Sequence, residues 1–135
     1  MYKRQVHCYS VPDYASAALA ADVEDIFAQS AAARALGPRS RVLGKPNLVA
    51  KHAPEKAVTT HPAVLDAVGA ARRRRGVESI TVADSPGGVY NPAGMKSIYK
   101  AGGLLAVCER HGALAYAACE AAPRKTDGVR VKRCV

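Results

Sequence analysis

The sequence has few of the residues that usually dominate a protein core or a cofactor site. It contains no tryptophan and one phenylalanine, so its core must be built mainly from valine, leucine, isoleucine and alanine. Its four cysteines (Cys8, Cys108, Cys119 and Cys134) form no CxxC pair, which excludes the common zinc and iron–sulfur ligand spacings within this chain. The glycine patterns of dinucleotide-binding and P-loop sites are also absent. Any site must therefore use other residues.

Long apolar runs are missing as well. No run approaches the roughly 18 residues that a membrane-spanning helix needs. The polar start, MYKRQVHCYS, does not have the pattern of a secretory signal. The Ala-rich stretch that follows is interrupted by acids (Asp13, Asp22, Glu24 and Asp25). We therefore expect a cytoplasmic protein with reduced thiols and no membrane partner.

Positive charge is what the sequence has in excess. It carries 20 Lys and Arg against 11 Asp and Glu, a net charge of +9, concentrated in the RRRR run at 72–75 and in the segment from Pro123 onward. A basic chain favours anionic partners. However, four consecutive arginines point around most of a helix, and no aromatic cluster accompanies them for stacking on nucleotides. We predict that the run is a solvated helix end, which ranks nucleic acid last among the partners considered.

Strand-like and helical segments alternate along the chain. The patterns predict strands at 3–9, 41–47, 79–84 and 113–118, and helices at 14–36, from Pro62 to the RRRRG sequence, and at 93–111. This order is typical of an α/β fold, a mostly parallel sheet with flanking helices in Rossmann-like layers. Asp127-Gly128 lies between two strand-like runs and predicts a β-hairpin.

These elements suggest two regions. We expect residues 1–122 to form an N-terminal α/β region and residues 123–135 a basic hairpin or tail. The last residues, VKRCV, fall inside a predicted strand. We therefore expect an incomplete domain, truncated within that hairpin.

Two polar loops follow predicted strands at the same edge of the sheet. In open α/β sheets, ligands bind beyond the carboxyl ends of the strands, near helix N-termini that present unpaired N–H groups. Residues 45–62 read KPNLVAKHAPEKAVTTHP, with Glu55 as the single acid, and ADSPGG follows the next strand. This pattern predicts a site for an anionic small molecule, formed by Lys45, Asn47, Thr59, Thr60, His61, Asp84, Ser85, Gly87 and Gly88.

Simpler roles exist for the same residues. Thr60 or His61 can cap a helix that begins at Pro62. Asp84 can end its strand in an Asx-type turn, or it can orient a hydroxyl group or act as a general base. It can also hold a metal ion with Asn47 or His61, although we expect no metal here. The sequence leaves these alternatives open.

The order of several motifs resembles a known family. The motifs are V-x-C-Y near the start, VLGKPNLV, AVTTHPAVLDAV, ITVADSPGG and IYKAGGL. Together they resemble the domain of unknown function 362 family over nearly the whole chain. The resemblance implies an α/β fold and a redox role, because members commonly carry a [4Fe–4S] ferredoxin-type module near the C-terminus. It implies that cluster only in longer members, since this chain lacks the ligating cysteines.

Three functions are compatible with these features. The first is the N-terminal part of a ferredoxin-associated redox protein, in which Lys45 and the helix N-terminus at Thr60 and His61 hold an anion while Asn47 and Asp84 orient it. The second is a non-catalytic scaffold that pairs with a second chain, for example one that bears the cluster. The third is weak nucleic-acid binding through the arginine run and basic tail. Whether the chain is an enzyme stays open.

Overall fold

The computed structural model describes residues 6–15, 17–87 and 91–115, together with the backbone of two strands near the end of the chain. Within this part, every helix is too short or too polar to cross a lipid bilayer. A single 3-10 turn, Pro54–Lys56, precedes the third helix. The helices and strands are α1 Ala17–Gln29, α2 Ala31–Arg34, β1 Arg41–Gly44, α3 Pro62–Arg74, β2 Ser79–Val82, α4 Pro92–Ala101, α5 Leu104–Arg110, β3 Leu114–Ala115, β4 Ala121–Thr126 and β5 Val129–Cys134.

Strands β1, β2 and β3 form a parallel sheet in that order. Helix α3 connects β1 to β2, and α4 and α5 connect β2 to β3. Strands β4 and β5 pair antiparallel, with Thr126 opposite Val129, at the position where Asp-Gly predicts a hairpin. The α/β prediction is therefore confirmed, as are strands in the first four residues of the segments 41–47 and 79–84.

The ends of α3 follow from its sequence. Pro62 occupies the first helical position, where its missing N–H costs nothing, and His61 is the capping residue. At the other end Gly76 has φ +72, a left-handed conformation that glycine adopts without strain. The predicted break at Gly102-Gly103 is also present, and it separates α4 from α5.

Two predictions near the start are wrong. Residues 6–9 of the predicted strand 3–9 lie in neither a helix nor a strand, and residues 1–5 lie outside the described residues. The Tyr9 hydroxyl instead donates to the carboxylate of Asp25 on α1, at 2.5 Å. The predicted helix 14–36 is two helices, because the Ser30 hydroxyl accepts the Ala33 N–H and caps a new start.

The hydrophobic core lies on one face of the sheet. Its buried side chains come mainly from α3, α4, α5 and β2, and include Leu65, Val82, Tyr99, Leu104 and Val107. Tyr99 is 1% exposed, and its hydroxyl donates to the carbonyl oxygen of Val82. Helix α1 packs against α3 in a second, smaller cluster. Crossovers between parallel strands are right-handed. Because the strands follow one another across the sheet in the order β1, β2, β3, the helices α3, α4 and α5 lie on the same face.

The arginine run ends α3 and its members Arg73 and Arg74 are exposed, as predicted, but the prediction of a solvated helix end is wrong for Arg72. Arg72 is 2% exposed, and its guanidinium donates to the carbonyl oxygens of Val77, before β2, and His111, after α5. Its charge lies where α3 and α5 end, and the partial negative charge of helix C-termini compensates it. Arg74 and Arg75 pair with Glu24 on α1. The prediction fails for Arg72 because the side chain anchors three elements.

Replacing Gly69 with alanine tests how closely α3 packs on the end of α5. A Cβ at Gly69 would lie 2.7 Å from ring atoms of His111, whose side chain is 11% exposed. Overpacking costs about 1–3 kcal/mol, whereas alanine in a helix normally gains about 1 kcal/mol over glycine. We expect Gly69→Ala to lower the free energy of unfolding, measured by urea denaturation.

Gly37→Ala is the matched control. A Cβ at Gly37 meets nothing within 4 Å. The urea midpoint of the Gly37→Ala variant is therefore expected to stay unchanged or to rise slightly. A Gly69→Ala variant as stable as wild type would contradict the packing between α3 and His111.

Candidate functional site

The loops that follow β1 and β2 meet at the carboxyl edge of the sheet. Pairing continues one residue beyond β2, because the Ala83 N–H donates to the Gly44 carbonyl at 3.0 Å. The next residues, Lys45 and Asp84, form an ion pair with 2.6 Å between Nζ and Oδ1. The Asp84 side chain is 5% exposed and that of Lys45 is 68% exposed. The buried Asp84 carboxylate thus holds the Lys45 ammonium group, while most of the Lys45 side chain is exposed to solvent.

Asp84 also holds the backbone of the loop after β1. Its Oδ2 accepts the Leu48 N–H at 2.8 Å. Burial acts to raise the pKa of Asp84, but hydrogen bonds from Lys45 and from the N–H groups of Leu48 and Ser85 outweigh it. The pKa of Asp84 therefore lies below its ordinary value. The carboxylate is ionised at neutral pH and positions both loops.

The other end of the long loop returns to the same corner. The Thr60 N–H donates to the Asn47 carbonyl at 2.9 Å, and the Asn47 N–H donates to the Thr60 hydroxyl oxygen at 2.8 Å. These two bonds hold the start of α3 beside the residues that follow β1. The structure therefore brings Lys45, Asn47, Thr60 and Asp84 together, as the sequence predicted from topology.

His61 caps α3, which resolves the choice between Thr60 and His61. Its Nδ1 accepts the Ala63 N–H at 3.2 Å, so the neutral ring carries its proton on Nε2. The ring stacks on Tyr14, with 3.8 Å between centroids and 9° between planes. Sequence reasoning missed this contact, because Tyr14 lies 47 positions earlier and no local pattern connects the two. His61 thus offers one N–H group from a fixed ring.

The structure describes Ser85, Pro86 and Gly87 of the SPGG segment. Ser85 and Gly87 are exposed, and the Gly87 N–H donates to the Val49 carbonyl at 3.0 Å. A Cβ at Gly87 would lie 3.8 Å from that oxygen, an ordinary contact, so packing within the chain does not require glycine. Gly88 lies outside the described residues. Close approach of a ligand to these glycines stays a prediction.

Thr59 differs from the other predicted site residues in the position of its hydroxyl group, which lies near Gly102. Its hydroxyl oxygen is buried with no hydrogen-bond partner among the described residues. It lies 3.8 Å from the Cβ position at Gly102, beside the junction of α4 and α5. Thr59 therefore belongs to the packing under the loop rather than to its outer surface.

Val49 has an unusual backbone in the middle of this corner. Its φ is +38, in the left-handed region that β-branched residues avoid, and its side chain is 42% exposed. Such strain persists only where surrounding contacts enforce it. Here the neighbouring Leu48 N–H is held by Asp84 and the Val49 carbonyl by Gly87.

Metal binding has no support from the described part of the chain. No group of three or more His, Cys, Asp or Glu side chains lies close enough to hold a metal ion there. Asp84 already accepts hydrogen bonds from Lys45 and Leu48. Cys108 is 2% exposed in the core, and burial raises the pKa of its thiol. It therefore acts as a small apolar side chain.

Asp84 and Lys45 should differ sharply in their effect on stability. Asp84→Asn keeps one acceptor oxygen but replaces the other by an NH2 donor that faces Lys45 or a backbone N–H group, and unsatisfied buried groups cost about 1–3 kcal/mol. Lys45→Met keeps the aliphatic stem and leaves the Asp84 carboxylate bound to the N–H groups of Leu48 and Ser85, so its loss of stability should be smaller. Urea denaturation at neutral pH measures both. Equal losses would contradict a positioning role for Asp84.

The lowered pKa of Asp84 predicts acid sensitivity. A carboxylate with a lowered folded-state pKa stabilises the protein above its unfolded pKa, about 3.9, and that stability is lost as pH falls through the folded pKa. We expect the free energy of unfolding to fall as the pH drops below about 3.9. In Asp84→Asn this fall should be smaller, because the variant has no carboxylate to protonate at that position. Asp66→Asn provides the comparison. Burial acts to raise the pKa of Asp66, but His111 and Arg110 lower it below its ordinary value. An unchanged profile in Asp84→Asn would contradict the ion pair.

Comparison with known proteins places the chain in a family. The sequence model of the family described as Domain of unknown function (DUF362) matches residues 42–132. The comparisons with curated proteins and with solved structures gave no match. The matched range contains all of the predicted site residues from Lys45 to Gly88 and covers more than half of the chain. The chain therefore belongs to the Domain of unknown function (DUF362) family.

Proposed function

We propose that this chain provides part of a binding site for an anionic small molecule, within a ferredoxin-associated redox family. The observation that carries the proposal is the Lys45 ammonium, which a buried carboxylate holds at 2.6 Å while 68% of its side chain is exposed. A lysine side chain normally loses much rotamer freedom when it binds a ligand. Asp84 has already restricted that freedom, so Lys45 is pre-organised for an anion.

The surroundings of Lys45 supply further donors. The N-terminus of α3 carries partial positive charge and is tied to the loop by Asn47 and Thr60. His61 adds an Nε2–H group, since its Nδ1 is used as the helix cap. Asp84 neutralises one charge, so the site suits a phosphate or carboxylate of low charge rather than a polyanion. In this proposal Asp84 is a positioning residue and does not touch the substrate.

The strained backbone at Val49 supports the same location. Left-handed conformations of non-glycine residues cost about 1–3 kcal/mol and cluster at functional sites. Val49 follows Leu48, the residue whose N–H is bound by Asp84. A simple connection between β1 and α3 has no need of this strain, whereas a loop shaped around a ligand does.

The redox part of the proposal concerns longer relatives. A [4Fe–4S] cluster needs cysteine thiolates, and the cysteines of this chain do not fit one, because no CxxC spacing exists and Cys108 is enclosed in the core. In this proposal the chain takes no part in ligating a cluster. Its share of the function is to bind and orient the anion, with any electron carrier on another module or chain.

The arginine run gives less support to nucleic-acid binding than its sequence suggests. Arg72 is buried, and Arg74 and Arg75 are paired with Glu24. Phosphate contacts need basic groups that reach outward. The anion site at the opposite edge of the sheet is the better supported function.

Thermal unfolding with inorganic phosphate, succinate and acetate tests the proposed site. An anion that binds with a Kd near 1 mM, present at 10 mM, should stabilise the chain by about 1.4 kcal/mol, a shift of roughly 3–6 °C in Tm. Lys45→Met should abolish the shift. His61→Asn should weaken it, because asparagine still caps the helix but lacks the Nε2–H group.

Lys56→Met, in the same loop, is the control for general loss of charge. It should keep the full shift, since Lys56 belongs to the 3-10 turn away from Asp84. If no anion raises Tm, or if both lysine variants respond alike, the proposed function is wrong.

A further inference from the structure

We propose that the face of the three-stranded sheet that no described helix covers docks one amphipathic helix of a partner polypeptide, apolar towards the strands and acidic along its flank. This surface, here called the open face, is the one opposite α3, α4 and α5. Its members alternate with the core residues along each strand: Arg41, Leu43, Ser79, Thr81 and Leu114.

The open face exposes apolar side chains in one row. Leu43 lies opposite Thr81, and Thr81 lies opposite Leu114, so the three residues cross the sheet in register. Leu43 is 66% exposed and Leu114 is 60% exposed. A groove of about 460 Å³ runs beside this row, lined by residues of β1 and β2. The opposite faces of the same strands are covered, with Ile80 and Val82 at most 5% exposed.

A face with no helix over it among the described residues is unusual for a parallel sheet. Parallel sheets occur almost entirely with both faces covered by helices, because their strands are apolar on both sides. Here the described helices that connect the strands lie on the core face, as right-handed crossovers in the order β1, β2, β3 require. A helix is therefore the element that usually covers such a face, which argues for a helix rather than a strand.

The dimensions fit one helix. Strands lie about 4.8 Å apart, so the row from Leu43 to Leu114 spans roughly 10 Å. An α-helix with its side chains has a diameter of about 10–12 Å. One helix running along the strands therefore spans the row, contacts both leucines and covers the polar side chains of Ser79 and Thr81.

The charges favour an acidic partner over a second copy. Arg41 lies on the open face and the exposed Arg39 precedes it, while the open face carries no acid among the described residues. Glu78, just before β2, lines a different cavity with Arg72 and His111. Two copies of a chain of net charge +9 repel each other. An acidic flank on the partner helix pairs with Arg41 and Arg39.

Two labelled helical peptides of about four turns test the proposal with the full chain. Both carry leucines at i, i+3, i+4 and i+7, and one has glutamates and the other lysines on the flanks. Fluorescence anisotropy should give at least tenfold tighter binding of the glutamate peptide. Leu43→Glu should weaken that binding at least tenfold, and Arg41→Glu should reverse the preference between the peptides.

The controls separate the open face from other surfaces. Val58→Glu changes an apolar residue that is 37% exposed in the loop before α3, and it should leave binding unchanged. Thermal unfolding of each variant checks that the fold is kept. No binding of the glutamate peptide, or equal binding to Leu43→Glu, would overturn the proposal. A dimer seen by sedimentation velocity and dissociated by Leu43→Glu would also overturn it, because a second copy of the chain would then bind the open face.

Discussion

The buried carboxylate of Asp84 is the constraint on which the candidate site depends. It lies just beyond β2 and binds Lys45 and the Leu48 N–H, both from the loop after β1. A loop as long as that between β1 and α3 has many possible paths, and each ordered residue costs about 1–2 kcal/mol of backbone entropy. Asp84 selects one path at its start, and the bonds between Asn47 and Thr60 close it at its end.

The opposite edge of the sheet is held by the opposite kind of group. Arg72 donates to the carbonyl oxygens of Val77 and His111. The difference follows from chain polarity, because strand carboxyl ends and helix N-termini share one edge and leave N–H groups to satisfy, whereas helix C-termini leave carbonyl groups at the other. A carboxylate suits the first edge and a guanidinium the second. The anion site that we propose therefore lies at the edge of Asp84, where helix N–H groups and Lys45 are found.

The elements with local signals were predictable from sequence, and the long-range contacts were not. Pro62, Gly76 and Gly102-Gly103 mark the helix ends by backbone preferences that act locally. Parallel-sheet topology alone was enough to bring Lys45 and Asp84 to one edge. The burial of Arg72 was missed because it depends on carbonyl groups 5 and 39 positions away. Pairing of Tyr14 with His61, and of Tyr9 with Asp25, likewise depends on packing that residue patterns do not encode.

The anion site and the open face share strand β1, and this links the two proposals physically. Arg41 and Leu43 belong to the open face, and Lys45 comes two residues after Leu43. Ligand sites usually bury most of the bound molecule, yet the Lys45 side chain is 68% exposed. The described residues therefore supply one wall of the proposed site. A helix docked across Leu43 would lie beside the strand that leads into Lys45, which is where a second wall is needed.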